Sequence, residues 1–174
     1  MSSNKDIASN GLKELEEHSI EALFITYKTP IYEFVYRYCQ DQQLSIDIVQ
    51  DTFVRFYKYQ KHYDKEKSSI KTYLFRMAYQ LMINRLKKRS RMKKLLPFLY
   101  QQQQQQRLSH EDILSVQAAI QQLTEEQRAV VLLTYYHDLA QRDISKILAI
   151  PVGTVKSRLH VALKKLKDLL EVNA

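Results

Sequence analysis

The sequence predicts an all-α protein: two small helical domains joined by a flexible linker, the C-terminal one a helix-turn-helix. Three observations lead there. Glycine occurs only at Gly11 and Gly153 and proline at three positions in 174 residues, and strand-type alternation is absent. Apolar residues make up 45% of the chain, enough for packed cores, and they recur at helical spacing in blocks separated by polar breaks. That periodicity lapses over LLPFLYQQQQQQRLS. The boundaries follow: a first domain over residues 1–94, a linker over 95–109 and a second domain over 110–174.

In the first domain Ser19 can cap a helix running from Ile20 toward Gln40, with Leu23, Phe24, Tyr27, Ile31, Phe34 and Val35 on its apolar side. Pro30, inside that pattern, should kink or interrupt it. After the polar break DQQLS, Ser45 can cap a second helix to roughly His62. Its expected inward residues are Ile46, Val49, Phe53, Phe56 and Tyr57, with Asp47, Gln50, Asp51 and Arg55 pointing out. The loop YDKEKSS leads into a third helix, Ile70 to about Lys94. One of its apolar faces carries Leu74, Met77, Ala78 and Leu81; a second carries Phe75, Tyr79, Met82, Ile83 and Leu86. A helix apolar over most of its girth is a helix buried on two sides. Its end, NRLKKRSRMKK from Asn84 to Lys94, holds seven Lys or Arg. Charge that dense favours phosphate contact over a merely solvated tail.

The linker contains six consecutive glutamines without turn chemistry, charge or apolar period, and reads as a mobile tether. Asp112 to Leu123 supplies one amphipathic helix. Thr124 with Gln127, in TEEQ, is a capping box for the next, which carries Val130, Val131, Leu133 and Tyr136. From Asp138 to Leu170 a short apolar-periodic run (Ile144, Ile147, Leu148) is followed by a tight break and a longer run. In the longer run Val155, Leu159, Ala162, Leu166 and Leu169 share one helical face, and Pro151 can serve as a first-turn residue. Lys156, His160, Lys164 and Lys167 lie broadly opposite, and no acid occurs between Pro151 and Lys167. Two helices joined by a short turn, the second basic on its free face, form the pattern that enters a DNA major groove.

Charge and motif content narrow the function classes. The net charge is +8, with 18 basic against 11 acidic side chains in residues 1–94 and 9 against 8 in residues 95–174. The N-terminal segment lacks the apolar core of a signal peptide, and no stretch is long enough to span a bilayer. A basic chain of this kind favours a polyanion, usually nucleic acid, and is not expected to insert in a membrane. Cys39, the lone cysteine, reads as a buried thiol and fits a reducing cytoplasm. The five histidines are scattered without metal-ligand spacing, and there is no glycine-rich phosphate loop or nucleophile elbow. Asp47 and Asp51 share a helix face, but with no third ligand nearby they read as a solvated or protein-contact surface. No catalytic residue, metal, cofactor or small-molecule substrate is therefore expected.

The string ISKILAIPVGTVKSRLHVALKKL closely resembles the C-terminal promoter-reading helix-turn-helix of bacterial sigma factors of the extracytoplasmic-function (ECF) type, within the sigma-70 family. DIVQDTFVRFYKY, followed by SSIKTYLFRMAYQLMINRLKKRSR, resembles the polymerase-binding and promoter-melting domain of the same family. The two stretches cover about Ser19–Arg91 and Leu123–Leu170, in the family's order. The resemblance implies an alternative sigma factor that docks on core RNA polymerase, positions it on promoter DNA and opens the duplex. It assigns docking to Asp47, Gln50 and Asp51. It assigns capture of a minus-ten base to the loop Tyr63–Ser69, including Lys65 and Lys67, with Asn84, Arg85, Lys87, Lys88, Arg89 and Arg91 on the DNA beyond it. Thr154, Lys156, Ser157, Arg158, His160 and Lys164 would read the minus-thirty-five element. Members of the family are often held by an anti-sigma factor, a partner that leaves no readable mark here.

Some positions depart from the family pattern. Ala149 stands where glycine is usual in the turn, a cost of about 1 kcal/mol if that residue is left-handed. Ala140 replaces the usual serine cap, another loss of about 1 kcal/mol. Val161 replaces a common arginine, Tyr73 a tryptophan and Asn84 an aspartate, and the linker is glutamine-rich rather than acidic. The competing reading is a stand-alone helix-turn-helix regulator, which would bind a palindrome as a dimer and has no use for the DIVQDTF helix. An inhibitor imitating a sigma domain and an enzyme acting on nucleic acid are weaker alternatives.

Overall fold

The computed structural model describes residues 19–96 and 116–172, and every regular element among them is helical. The glutamine run, most of the expected linker and the first residues of the expected Asp112–Leu123 helix lie outside the described residues.

Helix α1 (Ile20–Cys39) starts at the expected cap, the Ser19 hydroxyl accepting from the Ala22 amide at 3.1 Å. It buries Leu23, Ile31, Phe34, Val35 and Tyr38. Pro30 does not interrupt it. An internal proline costs about 3 kcal/mol, but four large side chains are buried beyond it, each worth about 1.5–3 kcal/mol. Packing wins. Phe24, expected inward, is exposed at the rim, its ring edge-on to Phe53 at 5.0 Å.

Helix α2 (Gln42–Tyr59) is capped by Asp41, not Ser45. The Asp41 carboxylate accepts from the Leu44 amide at 2.8 Å, where its charge also meets the positive end of the helix dipole. Ser45 is buried inside the helix and donates to the Asp41 carbonyl at 2.6 Å; Thr52 is buried likewise, donating to the Ile48 carbonyl at 2.6 Å. These two self-satisfied hydroxyls lie on the inward face with Leu44, Ile48, Val49, Phe53 and Phe56. Ile46 and Tyr57, expected inside, are 37% and 64% exposed. A 3-10 turn over Gln60–His62 completes the segment.

Helix α3 (Ile70–Leu95) starts at Ser69, whose hydroxyl accepts from the Thr72 amide. It runs antiparallel to α2, as the pairs Arg89–Asp41, Arg85–Asp51 and Tyr73–Phe56 show. Its second apolar face is also used, with Phe75 and Met82 buried and Tyr79, Ile83 and Leu86 packed against the core, and the helix lies against α6.

The second half consists of α4 (Val116–Gln121), α5 (Glu125–Tyr135), α6 (Gln141–Leu148) and α7 (Val152–Val172). The Thr124–Gln127 capping box is complete, each side chain bonded to the other's amide at 3.2 Å. Helix α5 buries Ala129 to Leu133, while Tyr136, at its C-cap, is 39% exposed beneath Arg37. Helix α7 begins one residue after Pro151, whose carbonyl accepts from the Thr154 and Val155 amides. Val155, Leu159, Ala162 and Leu166 are buried as expected.

The halves share one continuous core, with α1 against α5 and α3 against α6. Arg128 anchors the contact. Its guanidinium donates to the Tyr38 carbonyl at 2.8 Å and to the carbonyls of Gln121 at 2.7 Å, Leu123 at 3.1 Å and Ile120 at 3.3 Å. Gln117 and Gln121 donate to the Arg37 carbonyl at 3.1 and 2.6 Å. Helix C-termini leave carbonyls without intrahelical donors and carry partial negative charge. The end of α1 is thus satisfied by side chains of the other half.

Candidate nucleic-acid interface

The polar face of α2 and the basic end of α3 meet along one seam. Gln50 is exposed, and Asp47 accepts from Gln43 at 2.9 Å. Asp51 accepts from Arg85 at 2.6 Å, so an expected docking residue is ion-paired with an expected DNA residue. Arg89 is paired in the same way with Asp41. Burial alone would raise the Asp41 carboxyl, but the Arg89 bond and the Leu44 amide outweigh it and hold the group below its ordinary range. Both pairs are partly exposed and are worth about 0–1 kcal/mol, so either arginine can be drawn off by a phosphate at little cost. Asn84, Lys87, Lys88 and Arg91 are exposed on the same end of α3.

Farther along the seam is a cleft of about 330 Å³ lined by Arg55, Tyr59, His62, Tyr73, Arg76, Met77 and Gln80. Two guanidinium groups, three aromatic rings and an amide, with no acid among the lining residues, can hold a phosphate and stack a base. Local pattern places Arg55 on the outward side of α2 and Tyr73 at a departure from the family, and carries no signal that they converge. The antiparallel register of α2 and α3 brings them together.

The loop Tyr63–Ser69 is tied down locally. Tyr63 donates its hydroxyl to the Ser68 carbonyl at 3.1 Å, and its ring lies 5.2 Å from Tyr73. Lys67 pairs with Asp64 at 3.4 Å, and Lys65 is exposed. The second half reaches this loop: Lys146, on α6, donates to the Lys67 carbonyl at 2.7 Å.

In the helix-turn-helix, Ala149 is left-handed (φ 54°) and Ala140 makes no side-chain cap bond. Both departures read from the sequence therefore carry their cost. The turn is held instead by Ser145, whose carbonyl accepts the Ala149 and Ile150 amides and whose hydroxyl donates to the Ile150 carbonyl. Lys156, Ser157, His160 and Lys164 are exposed on α7, and Thr154 is half-buried. Arg158 is set apart. It is ion-paired with Glu126 of α5 at 3.2 Å, its side chain 26% exposed, on the flank of the buried stripe.

Cys39 is half-buried and donates to the Val35 carbonyl, burial raising its thiol pKa. Among the described residues no group of His, Cys, Asp and Glu could hold a metal, and no helix is long and apolar enough to cross a membrane.

Residues 23–92 match the family model for sigma-70 region 2 and residues 113–166 that for sigma-70 region 4. The ECF RNA polymerase sigma factor SigW of Bacillus subtilis (strain 168) is 29% identical over 91% of this chain and 94% of its own. Two solved structures share the fold at 20% identity. The sigma factor RpoE in complex with the anti-sigma factor NepR from Bartonella quintana matches with a TM-score of 0.74, over 90% of this chain and 99% of RpoE. CnrH in complex with the cytosolic domain of CnrY matches with a TM-score of 0.70, over 98% of this chain and 99% of CnrH. A region 2 half followed by a region 4 half, over nearly the full length of an ECF relative, places the chain in the sigma-70 family of RNA polymerase sigma factors, in its ECF group.

Proposed function

We infer that this protein is an alternative sigma factor, which binds core RNA polymerase and directs promoter-specific transcription initiation. The observation that carries the reading is the presence of both sigma regions, in order, in one chain. A stand-alone helix-turn-helix regulator would need only the second. The family acts as a non-enzymatic initiation factor, and RNA synthesis belongs to the polymerase. The chain works in the cytoplasm, where the polymerase is, and an anti-sigma factor is a further partner, as NepR is for the solved RpoE.

Within that function, the exposed face of α2 bearing Asp47, Gln50 and Asp51 docks on the polymerase. The cations of α3, Arg85, Lys87, Lys88, Arg89 and Arg91, hold DNA backbone without reading sequence. The loop Tyr63–Ser69 and the adjoining cleft receive bases of the melted minus-ten element. Stacking on Tyr59, His62 or Tyr73 is worth about 1–3 kcal/mol per base. Thr154, Lys156, Ser157, Arg158, His160 and Lys164 serve the minus-thirty-five element, Arg158 once it leaves Glu126.

Gel filtration with core bacterial RNA polymerase, followed by transcription from candidate promoters, tests the reading. The chain should co-elute and yield promoter-dependent transcripts. Asp47→Ala with Asp51→Ala should weaken co-elution while leaving helical content nearly unchanged. Full co-elution of the double variant would overturn the assigned docking face, and absence of co-elution by the natural chain would overturn the function.

A further inference from the structure

Where α1 and α3 meet the segment after α5, a titratable side chain is sealed in. His137 is 5% exposed. Its ring stands edge-on to Phe34 at 5.8 Å and tilted against Phe75 at 4.9 Å, and its Nε2 has no hydrogen-bond partner among the described residues. Its own carbonyl accepts from Lys71, and the neighbouring Tyr136 ring lies 4.2 Å from the Arg37 guanidinium. Phe34 and Arg37 belong to α1, Lys71 and Phe75 to α3, and His137 to the helix-turn-helix half. The ring is thus a wedge of one half in the other.

A neutral imidazole suits that aromatic slot; an imidazolium does not. The charged groups facing it are Lys71 from α3 and Arg37 from α1, which repel a proton there, and Asp138 beside it, which attracts one. Burial, then Lys71 and Arg37, together outweigh Asp138 and push the histidine down to about 4. Unpaired charge in an apolar slot is costly enough that a protonated ring seeks water instead.

We propose that His137 is an acid-sensitive latch between the two halves: on taking up a proton it leaves the slot between Phe34 and Phe75, and the helix-turn-helix half separates from α1 and α3. Separation breaks the bond from Lys146 to the Lys67 carbonyl and takes the second half away from the loop Tyr63–Ser69. The gain in DNA access, though not the latch itself, rests on the reading of that loop as a base-binding site.

The sign follows from the depressed value. With about 4 in the closed form and an ordinary histidine value of about 6.5 in the open one, the closed form is fully favoured above pH 6.5 and loses ground as the pH falls toward 4. The closed-to-open ratio should fall about tenfold between pH 8 and pH 5.5, and about 75-fold by pH 4.5.

The test follows the His137 imidazole by NMR and the radius of gyration by X-ray scattering, on the same samples of the full chain from pH 8 to pH 4. The expected result is a radius that rises in step with protonation of His137. His137→Phe and His137→Leu, two apolar fillings of different shape, should stay closed at acid pH, and His137→Lys should be open already at pH 8. Protonation of His137 without expansion would overturn the latch, as would expansion unaltered in both apolar variants. A labelled single-stranded DNA oligonucleotide adds a separate reading. Opening in the natural chain should tighten its binding about tenfold at pH 5.5 relative to His137→Phe. Expansion without that gain supports the latch and refutes the loop as a base-binding site.

Discussion

Helices α5 and α6 are neighbours in the chain and opposites in how they are held. Helix α5 begins with a complete capping box and buries five consecutive residues. Helix α6 has eight residues, an alanine at the N-cap without a side-chain bond, and an alanine forced left-handed at the C-cap. A segment that short is far below the length at which a helix persists alone in water. It exists because α3 covers one side and α7 another, with Ile144 and Ile147 buried between them. The helix-turn-helix therefore owes its shape to its surroundings. Of the two, the helix less able to stand alone is the one that packs on α3 in the other half.

Removing what holds α6 should have the largest effect. Ile144→Ala should cost about 2–5 kcal/mol, because the fully buried side chain leaves a cavity between helices. Urea unfolding of the full chain measures it, and a loss below about 1 kcal/mol would mean that α6 collapses onto its neighbours or is held from elsewhere. Arg128→Met should cost about 2–3 kcal/mol, leaving the helix-end carbonyls of Tyr38, Ile120, Gln121 and Leu123 without their donor. If water replaces the guanidinium at each carbonyl, the same unfolding experiment will show almost no change.

Smaller effects are expected at the caps. Thr124→Ala should destabilise by about 1 kcal/mol, whereas Ala140→Ser should stabilise by a similar amount, since one removes a cap and the other installs one. Ala149→Gly should also stabilise, by about 1 kcal/mol, by removing the Cβ from a left-handed position. Thermal melts of the three variants, compared at a common temperature, decide it. A neutral Ala140→Ser would mean the first turn of α6 already finds its donors and acceptors elsewhere. The smallest effect is expected from Arg85→Ala, within about 1 kcal/mol of the natural chain in stability because its pair with Asp51 is solvent-exposed. DNA binding across a salt series should nonetheless lose slope in that variant, if the arginine exchanges its carboxylate for a phosphate.

Short-range features of the fold are legible in the order of residues. The Ser19 cap, the Thr124–Gln127 box, the buried stripe of α7 and the two apolar faces of α3 all depend on residues three or four apart, and all are where periodicity places them. The misplaced positions had a local cause too: Ser45 and Thr52 look polar in sequence, yet bond to their own helix and turn inward, so the stripe of α2 lies away from Ile46 and Tyr57. Tertiary structure alone decided where the cations go. Arg85 reaches Asp51 across 34 residues and Arg128 reaches Tyr38 across 90, and no local pattern encodes either partner. The same holds for the cleft between α2 and α3 and for the slot that closes on His137. A long charged side chain has several acceptors within reach of its flexible stem, and the one it takes depends on which helices the core has already brought together.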